Sequence, residues 1–217
     1  VKVFLVDDQQ LVRAGFRMLI ESQDDMEVVG EAGDGAEATE RLAVTAADIV
    51  LMDVRMPRMD GVEATRLLAA RGERPRIVVL TTFDLDEYVY SALHAGASAF
   101  LLKDAPPEVL LAAVRDVHAG DAVVAPSATR RMLERFLSEP VAPEPDHDPR
   151  LADLTARERE VLELIARGRS NSEISADLFL AEATVKTHVG RILAKTASRD
   201  RVHLVVLGYD TGLVSPG

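Results

Sequence analysis

Short apolar runs alternate with amphipathic stretches along the first 120 positions of the chain. The runs at 1–6, 26–32, 48–53, 76–82 and 98–102 are rich in Val, Ile and Leu, and each is bounded by polar or small residues. Between them the apolar residues recur at three- and four-residue spacing, as with Val12, Phe16 and Leu19, which predicts helices over 10–21, 36–42, 62–70, 86–94 and 108–120. Nearly continuous apolar strands separated by helices of two to three turns predict a parallel sheet covered on both faces. Five such units make a doubly wound α/β domain. Any other five-stranded α/β arrangement satisfies the periodicity equally well.

Beyond Gly120 the pattern changes. A helix is predicted over 128–137, but EPVAPEPDHDPR (139–150) carries four prolines and no apolar period, the composition of an extended, solvated linker. Four short helices are expected after it. The first opens on the capping-box sequence TARE (155–158) and shows Val161, Leu162, Ile165 and Ala166 on one face. Glu173–Leu178 forms the second, with Ile174 and Leu178 aligned. The third, about 182–195, turns Val185, Val189, Ile192 and Leu193 inward, and the fourth, about 199–209, carries Val202, Val205, Val206 and Tyr209. The reading is a domain over 1–121, a linker over 122–150 and a small all-α domain over 151–217.

Composition narrows the function classes. The chain has no cysteine, which excludes disulfides, thiolate chemistry and Cys-ligated zinc. The opening VKVFLVDDQQL has no basic leader, and no apolar run approaches the roughly 18 residues of a membrane span. A cytoplasmic protein without membrane insertion is therefore expected. The net charge of −11 argues at first against nucleic acid. It is unevenly spread, however: residues 1–121 hold 22 acidic and 12 basic side chains, whereas 151–217 hold nine of each. Within the latter, Lys186, Arg191, Lys195, Arg199 and Arg201 face only Glu182 and Asp200 over 182–201. Only that stripe can meet a polyanion.

The strand ends carry the candidate chemistry. The first strand ends in Asp7–Asp8, the third in Asp53 and the fourth in Thr81, and the fifth runs into Lys103. In a doubly wound sheet the carboxyl ends of the strands line the binding crevice, so these residues converge. No glycine-rich phosphate loop is present. Clustered carboxylates repel one another, and a hard divalent cation is their natural complement. Mg²⁺, or Mn²⁺ in its place, suits Asp7, Asp8, Asp53 and the backbone carbonyl of Arg55. Asp53 is the best nucleophile, since a carboxylate can take a phosphoryl group as an acyl phosphate. Lys103 then neutralises the phosphoryl oxygens and the Thr81 hydroxyl donates to one of them. Taken singly, Asp53 reads as a cap, Thr81 as a strand residue and Lys103 as a solvated lysine; it is their joint placement at strand ends that points to chemistry.

Together, DD (7–8), LMDVRMPRMDG (51–61), Thr81 and GASAFLLK (96–103) resemble the receiver domain of response regulators. The resemblance implies strand order 2-1-3-4-5 and phosphotransfer from a cognate sensor histidine kinase to Asp53, with Mg²⁺ required. It also implies an aromatic switch at Phe100, which read from the residues alone is core. Phe100 has no hydroxyl where many receivers carry Tyr, so any readout there rests on ring packing.

LTAREREVLELIARGRSNSEIS (154–175) and TVKTHVGRILAK (184–195) resemble the LuxR-type helix-turn-helix domain of the NarL/FixJ family. With Val185, Val189, Ile192 and Leu193 inward, the opposite face of the third helix shows Lys186, Thr187, Gly190, Arg191 and Ala194, and a helix of this size fits the major groove of double-stranded DNA. Lys186 and Thr187 are the expected base contacts, while Arg191, Lys195 and Arg199 position the backbone. His188 either packs or hydrogen-bonds phosphate. Gly190 leaves few groups for reading bases, and Ala181 stands where family members commonly place a Ser or Thr cap. The last helix has apolar residues on more than one face, which a small monomer cannot bury. A homodimer on DNA through Val202, Val205, Val206 and Tyr209 is the remedy, and the resemblance implies the same.

The expected function is thus a phosphorylation-controlled, DNA-binding transcriptional regulator with no activity beyond its own phosphorylation and slow dephosphorylation. Two other readings stay open on the residues. An aspartyl-phosphate phosphatase also joins an Asp nucleophile, Mg²⁺ and a doubly wound sheet, but it normally shows a DxD arrangement after its first strand. A binder with a vestigial pocket needs no intact Asp7, Asp8, Asp53, Thr81 and Lys103 set.

Overall fold

A computed structural model describes residues 1–72, 74–81, 91–120 and 148–214. They fall in two compact units, Val1–Val123 and Val124–Gly217. The helix expected over 86–94 is described only at 91–94, which are helical. The helix expected over 128–137 and the proline-rich stretch up to 147 lie outside the described residues.

In the first unit the described elements run β1 (Lys2–Val6), α1 (Gln10–Glu21), β2 (Glu27–Ala32), α2 (Gly35–Arg41), β3 (Ile49–Asp53), α3 (Gly61–Ala69), β4 (Arg76–Thr81), β5 (Ala99–Leu102) and α4 (Pro107–Ala119). The strands form one parallel sheet in the order β2-β1-β3-β4-β5. Its three central strands are buried on both faces: Phe4, Leu5, Ile49, Leu51, Met52, Ile77 and Leu80 are at most 2% exposed, which is why those runs read as continuous rather than alternating. On α1, Val12, Phe16 and Leu19 are half-buried and Ile20 is the residue driven fully into the core.

Register decides what meets at the carboxyl edge. Val6 pairs with Met52 and Asp53 with Leu80, so Asp7 follows β1 at the level of Asp53. Thr81 pairs with Leu102, the residue before Lys103.

Among its described residues the second unit holds a short 3-10 turn (Pro149–Leu151) and four helices: α5 (Ala156–Ala166), α6 (Asn171–Leu178), α7 (Glu182–Thr196) and α8 (Arg201–Asp210). Thr155 and Glu158 form the predicted capping box of α5, and Ser170 with Glu173 forms a second one on α6. Asp200 caps α8 by accepting from the Val202 and His203 N–H groups, whereas α7 starts at Ala181 with no side-chain cap. Val161, Leu162, Ile165, Ile174, Val185, Ile192 and Leu204 are fully buried and form the core. A Cβ at Gly208 would lie 2.4 Å from that of Ala166, so α8 crosses α5 at near backbone contact.

Two expectations change here. Only Val185 and Ile192 of α7 are buried, while Val189 and Leu193 are half-covered. On α8, Val202, Val205, Val206 and Tyr209 are 3%, 9%, 7% and 9% exposed within this single chain. The premise that one chain cannot cover both faces of the last helix does not hold: its apolar residues are packed on every side.

Candidate functional site

Asp7, Asp53 and Thr81 are buried at the carboxyl edge of the sheet, 2%, 5% and 1% exposed, and Asp8 is open to solvent beside them. The apolar strands dictate this, since each side chain is the first polar group after a core segment. One carboxylate oxygen from each of Asp7, Asp8 and Asp53 lies within 4.8 Å of the others. Lys103 Nζ sits 2.8 Å from Asp7 Oδ2 and 2.8 Å from Asp53 Oδ2, joining the ends of three strands.

The electrostatics follow from burial. Desolvation pushes the Asp53 carboxyl up; Lys103 and the Arg55 backbone N–H pull it down, Asp7 pushes it up again, and the net shift is upward. For Lys103 desolvation acts downward, but Asp53 and Asp7 together overcome it and raise the ammonium, which stays charged. Asp7 Oδ1 accepts from the Gln9 N–H at 2.8 Å. Its buried Oδ2 faces the Lys103 ammonium at 2.8 Å.

The turn after Asp53 is held from outside. Arg58 is left-handed (φ 66°), and its guanidinium pairs with Asp34, a buried carboxylate that also accepts from the Glu37 N–H to cap α2. Gly35 N–H donates to the Met59 carbonyl at 3.1 Å and Gly61 N–H to that of Val54 at 2.8 Å. A Cβ at Gly61 would stand 1.9 Å from the Asp53 carbonyl oxygen, so only glycine fits. Arg13 donates to the Asp7 carbonyl and to Glu31, clamping the β1–α1 turn against β2. Asp34, Arg58 and Arg13 carry no local sequence pattern that marks them as part of the site. The structure gathers Asp7, Asp8, Asp53 and Lys103. Thr81 stands at the adjoining strand end, and Phe100 is buried in β5 at 4% exposure, its ring already inside.

In the second unit Lys186, Thr187, Gly190 and Arg191 form an exposed face on α7, and nothing lies within 4 Å of a Cβ built on Gly190. His188 is half-buried, with Nδ1 covered and unpartnered. Arg199 is half-buried as well. Lys195 is committed elsewhere: its Nζ lies 2.7 Å from Glu158 Oε2, tying the last turn of α7 to the capping box of α5.

Residues 3–115 match the response regulator receiver domain, and residues 152–207 match the bacterial regulatory proteins of the luxR family. The chain is a response regulator with a LuxR-type output domain. This response regulator is 42% identical to the transcriptional regulatory protein YxjL of Bacillus subtilis over 99% of the chain and 97% of that protein. It is 36% identical to the transcriptional regulatory protein LiaR of the same organism over 99% of the chain and all of that protein. Among solved structures it resembles the response regulator ChrA of a heme-sensing two-component system, at 36% identity and a TM-score of 0.53, covering 99% of this chain and 98% of that one. The RcsB–DNA complex shares the fold at 22% identity, with a TM-score of 0.57 over 98% of each chain. As a response regulator the chain links phosphorylation to DNA binding and modifies itself rather than turning over other substrates.

The acidic cluster suits a small hard cation. Ligands on opposite sides of Mg²⁺ stand about 4.2 Å apart, at about 2.1 Å each, and the three carboxylates, within 4.8 Å, are near that span. No helix among the described residues is long and apolar enough to cross a membrane.

Proposed function

We propose that Asp53 is the phosphoacceptor of a receiver domain over 1–121, joined through a linker over 122–150 to a DNA-binding domain over 151–217, in a cytoplasmic regulator. A cognate sensor histidine kinase is the donor. An Asp53 carboxylate oxygen attacks the phosphorus of the kinase phosphohistidine, the O–P bond forming as the P–N bond breaks, and the departing imidazole takes up a proton. Asp7, Asp8, Asp53 and the Arg55 carbonyl would hold Mg²⁺ or Mn²⁺, which when bound supplies positive charge to the phosphoryl oxygens. Lys103 adds a fixed cation at the same place, and the Thr81 hydroxyl donates to a phosphoryl oxygen. The Lys103 backbone N–H donates to the Thr81 carbonyl at 2.8 Å, so a shift of Thr81 is passed to β5 and the packing of Phe100. The observation that carries this reading is the single ammonium 2.8 Å from both Asp7 and Asp53.

On the DNA side, Lys186 and Thr187 read base edges, with His188, Gly190 and Arg191 lying along the groove and Arg199 at its border. Two copies pair on DNA. Pairing through Val202, Val205, Val206 and Tyr209 requires the present cover of α8 to move, because those side chains are packed away in this structure. Incubation with acetyl phosphate and Mg²⁺, followed by intact-mass measurement, tests the acceptor. Wild type gains one phosphoryl group and Asp53→Asn gains none; equal labelling of the two would sink the assignment.

A further inference from the structure

Phe179, in the turn between α6 and α7, carries two costs at once. Its backbone is left-handed (φ 54°, ψ 44°), a conformation that glycine or asparagine adopts more readily. Its side chain is 95% exposed, and among the described residues of the DNA-binding unit no other large apolar side chain is comparably open. The turn is well held: Leu180 N–H donates to the Ser175 carbonyl at 3.0 Å, and Ser175 Oγ donates to the Leu180 carbonyl at 2.5 Å. A strained residue fixed by its surroundings, with an unburied ring, has the character of a contact made only when a partner arrives.

The neighbourhood indicates which partner. Phe179 lies three residues before Glu182, where α7 begins, and that helix carries the exposed Lys186, Thr187 and Arg191. In a helix-turn-helix the first helix crosses the DNA backbone and the second enters the groove, which brings the intervening turn next to the sugar–phosphate chain. Arg157 Nη2 donates to the Leu178 carbonyl at 2.8 Å, tying the residue before Phe179 to α5. An exposed apolar ring in that turn matches the apolar face of a deoxyribose.

We propose that Phe179 packs on the deoxyribose–phosphate backbone flanking the groove, adding affinity that does not depend on salt. This rests on the DNA-binding reading of α7. The probe is a duplex selected by the full-length chain from a random-sequence pool, with Lys186→Ala as the control. Covering about 60 Å² of ring is equivalent to about tenfold in affinity. Phe179→Gly and Phe179→Asn should therefore each weaken binding about tenfold while the melting temperature holds or rises, because both residues tolerate the left-handed turn. The slope of log affinity against log salt should stay at the wild-type value, since no phosphate-bound cation is lost. Unchanged affinity in both variants, or a loss tracking a lower melting temperature in both, overturns the proposal. Unchanged affinity with altered self-association overturns it too, and gives the ring to a second copy of this chain. If Lys186→Ala also binds as wild type, the reading of α7 itself has failed.

Discussion

Asp53 occupies a place where its own charge is disfavoured: burial and the neighbouring Asp7 act against ionisation, and Lys103 offsets only part of this. A carboxyl raised in the fold contributes stability at low pH and loses it as pH rises through the folded value. At neutral pH the ionised Asp53 is therefore a local liability. Asp53→Asn should unfold about 1 kcal/mol later than wild type at pH 7, with the gap closing in acid, as measured by urea titration followed by circular dichroism. A gap of opposite sign would mean that the Lys103 pair outweighs the burial. Gly61 tests the backbone of the same site. Gly61→Ala must push a methyl group into the Asp53 carbonyl oxygen, and should cost about 1–3 kcal/mol and slow phosphorylation by acetyl phosphate. The acceptor set was legible in the sequence because each member directly ends an apolar strand. Arg13, Asp34 and Arg58 were not, because their contacts span 24 positions for Arg58–Asp34 and 18 for Arg13–Glu31, and exist only after folding.

At the level of elements, the DNA-binding unit hangs on Glu158. The sequence showed it as the third residue of a capping box; it did not show that the same carboxylate grips Lys195 at the far end of α7. Lys195, Thr155 N–H and Thr155 Oγ1 hold its carboxyl at about 2, against an ordinary 4.5. A depressed carboxyl contributes stability above its unfolded pKa and loses it as pH falls toward the folded one. The acid limb of unfolding should therefore run between about pH 4.5 and about 2. In Glu158→Gln it should flatten, with stability at pH 7 lower by about 1 kcal/mol; an unchanged limb would show that Glu158 does not govern it. Lys195, expected at the outset to meet the DNA backbone, is better placed to orient α7 than to touch phosphate. The last helix misled for a related reason. Its all-round apolar pattern signals complete burial, and the pattern alone does not tell whether the cover comes from the same chain or another. Gly208 against Ala166 shows how closely α5 supplies part of it.

Across the whole molecule, charge is segregated along the sequence: a strongly acidic receiver precedes a neutral domain in which five of the nine basic residues lie on or after α7. The five strands were legible from apolar periodicity, because parallel strands covered on both faces leave a strong signature, whereas their order was implied only by the resemblance to receiver domains and is the order observed. What phosphorylation must do is change the DNA affinity of a domain that carries none of the phosphate ligands. The most direct measurement is binding of the full-length chain to its selected duplex, with and without acetyl phosphate and Mg²⁺, for wild type and Asp53→Asn in parallel. Wild type should bind at least tenfold more tightly with the phosphodonor, or release by as much if phosphorylation inhibits it, about 1.4 kcal/mol of coupling either way; Asp53→Asn should show one affinity under both conditions. Equal affinities for wild type under both conditions, with the phosphoryl group present on Asp53, would contradict any link between the acidic cleft and α7.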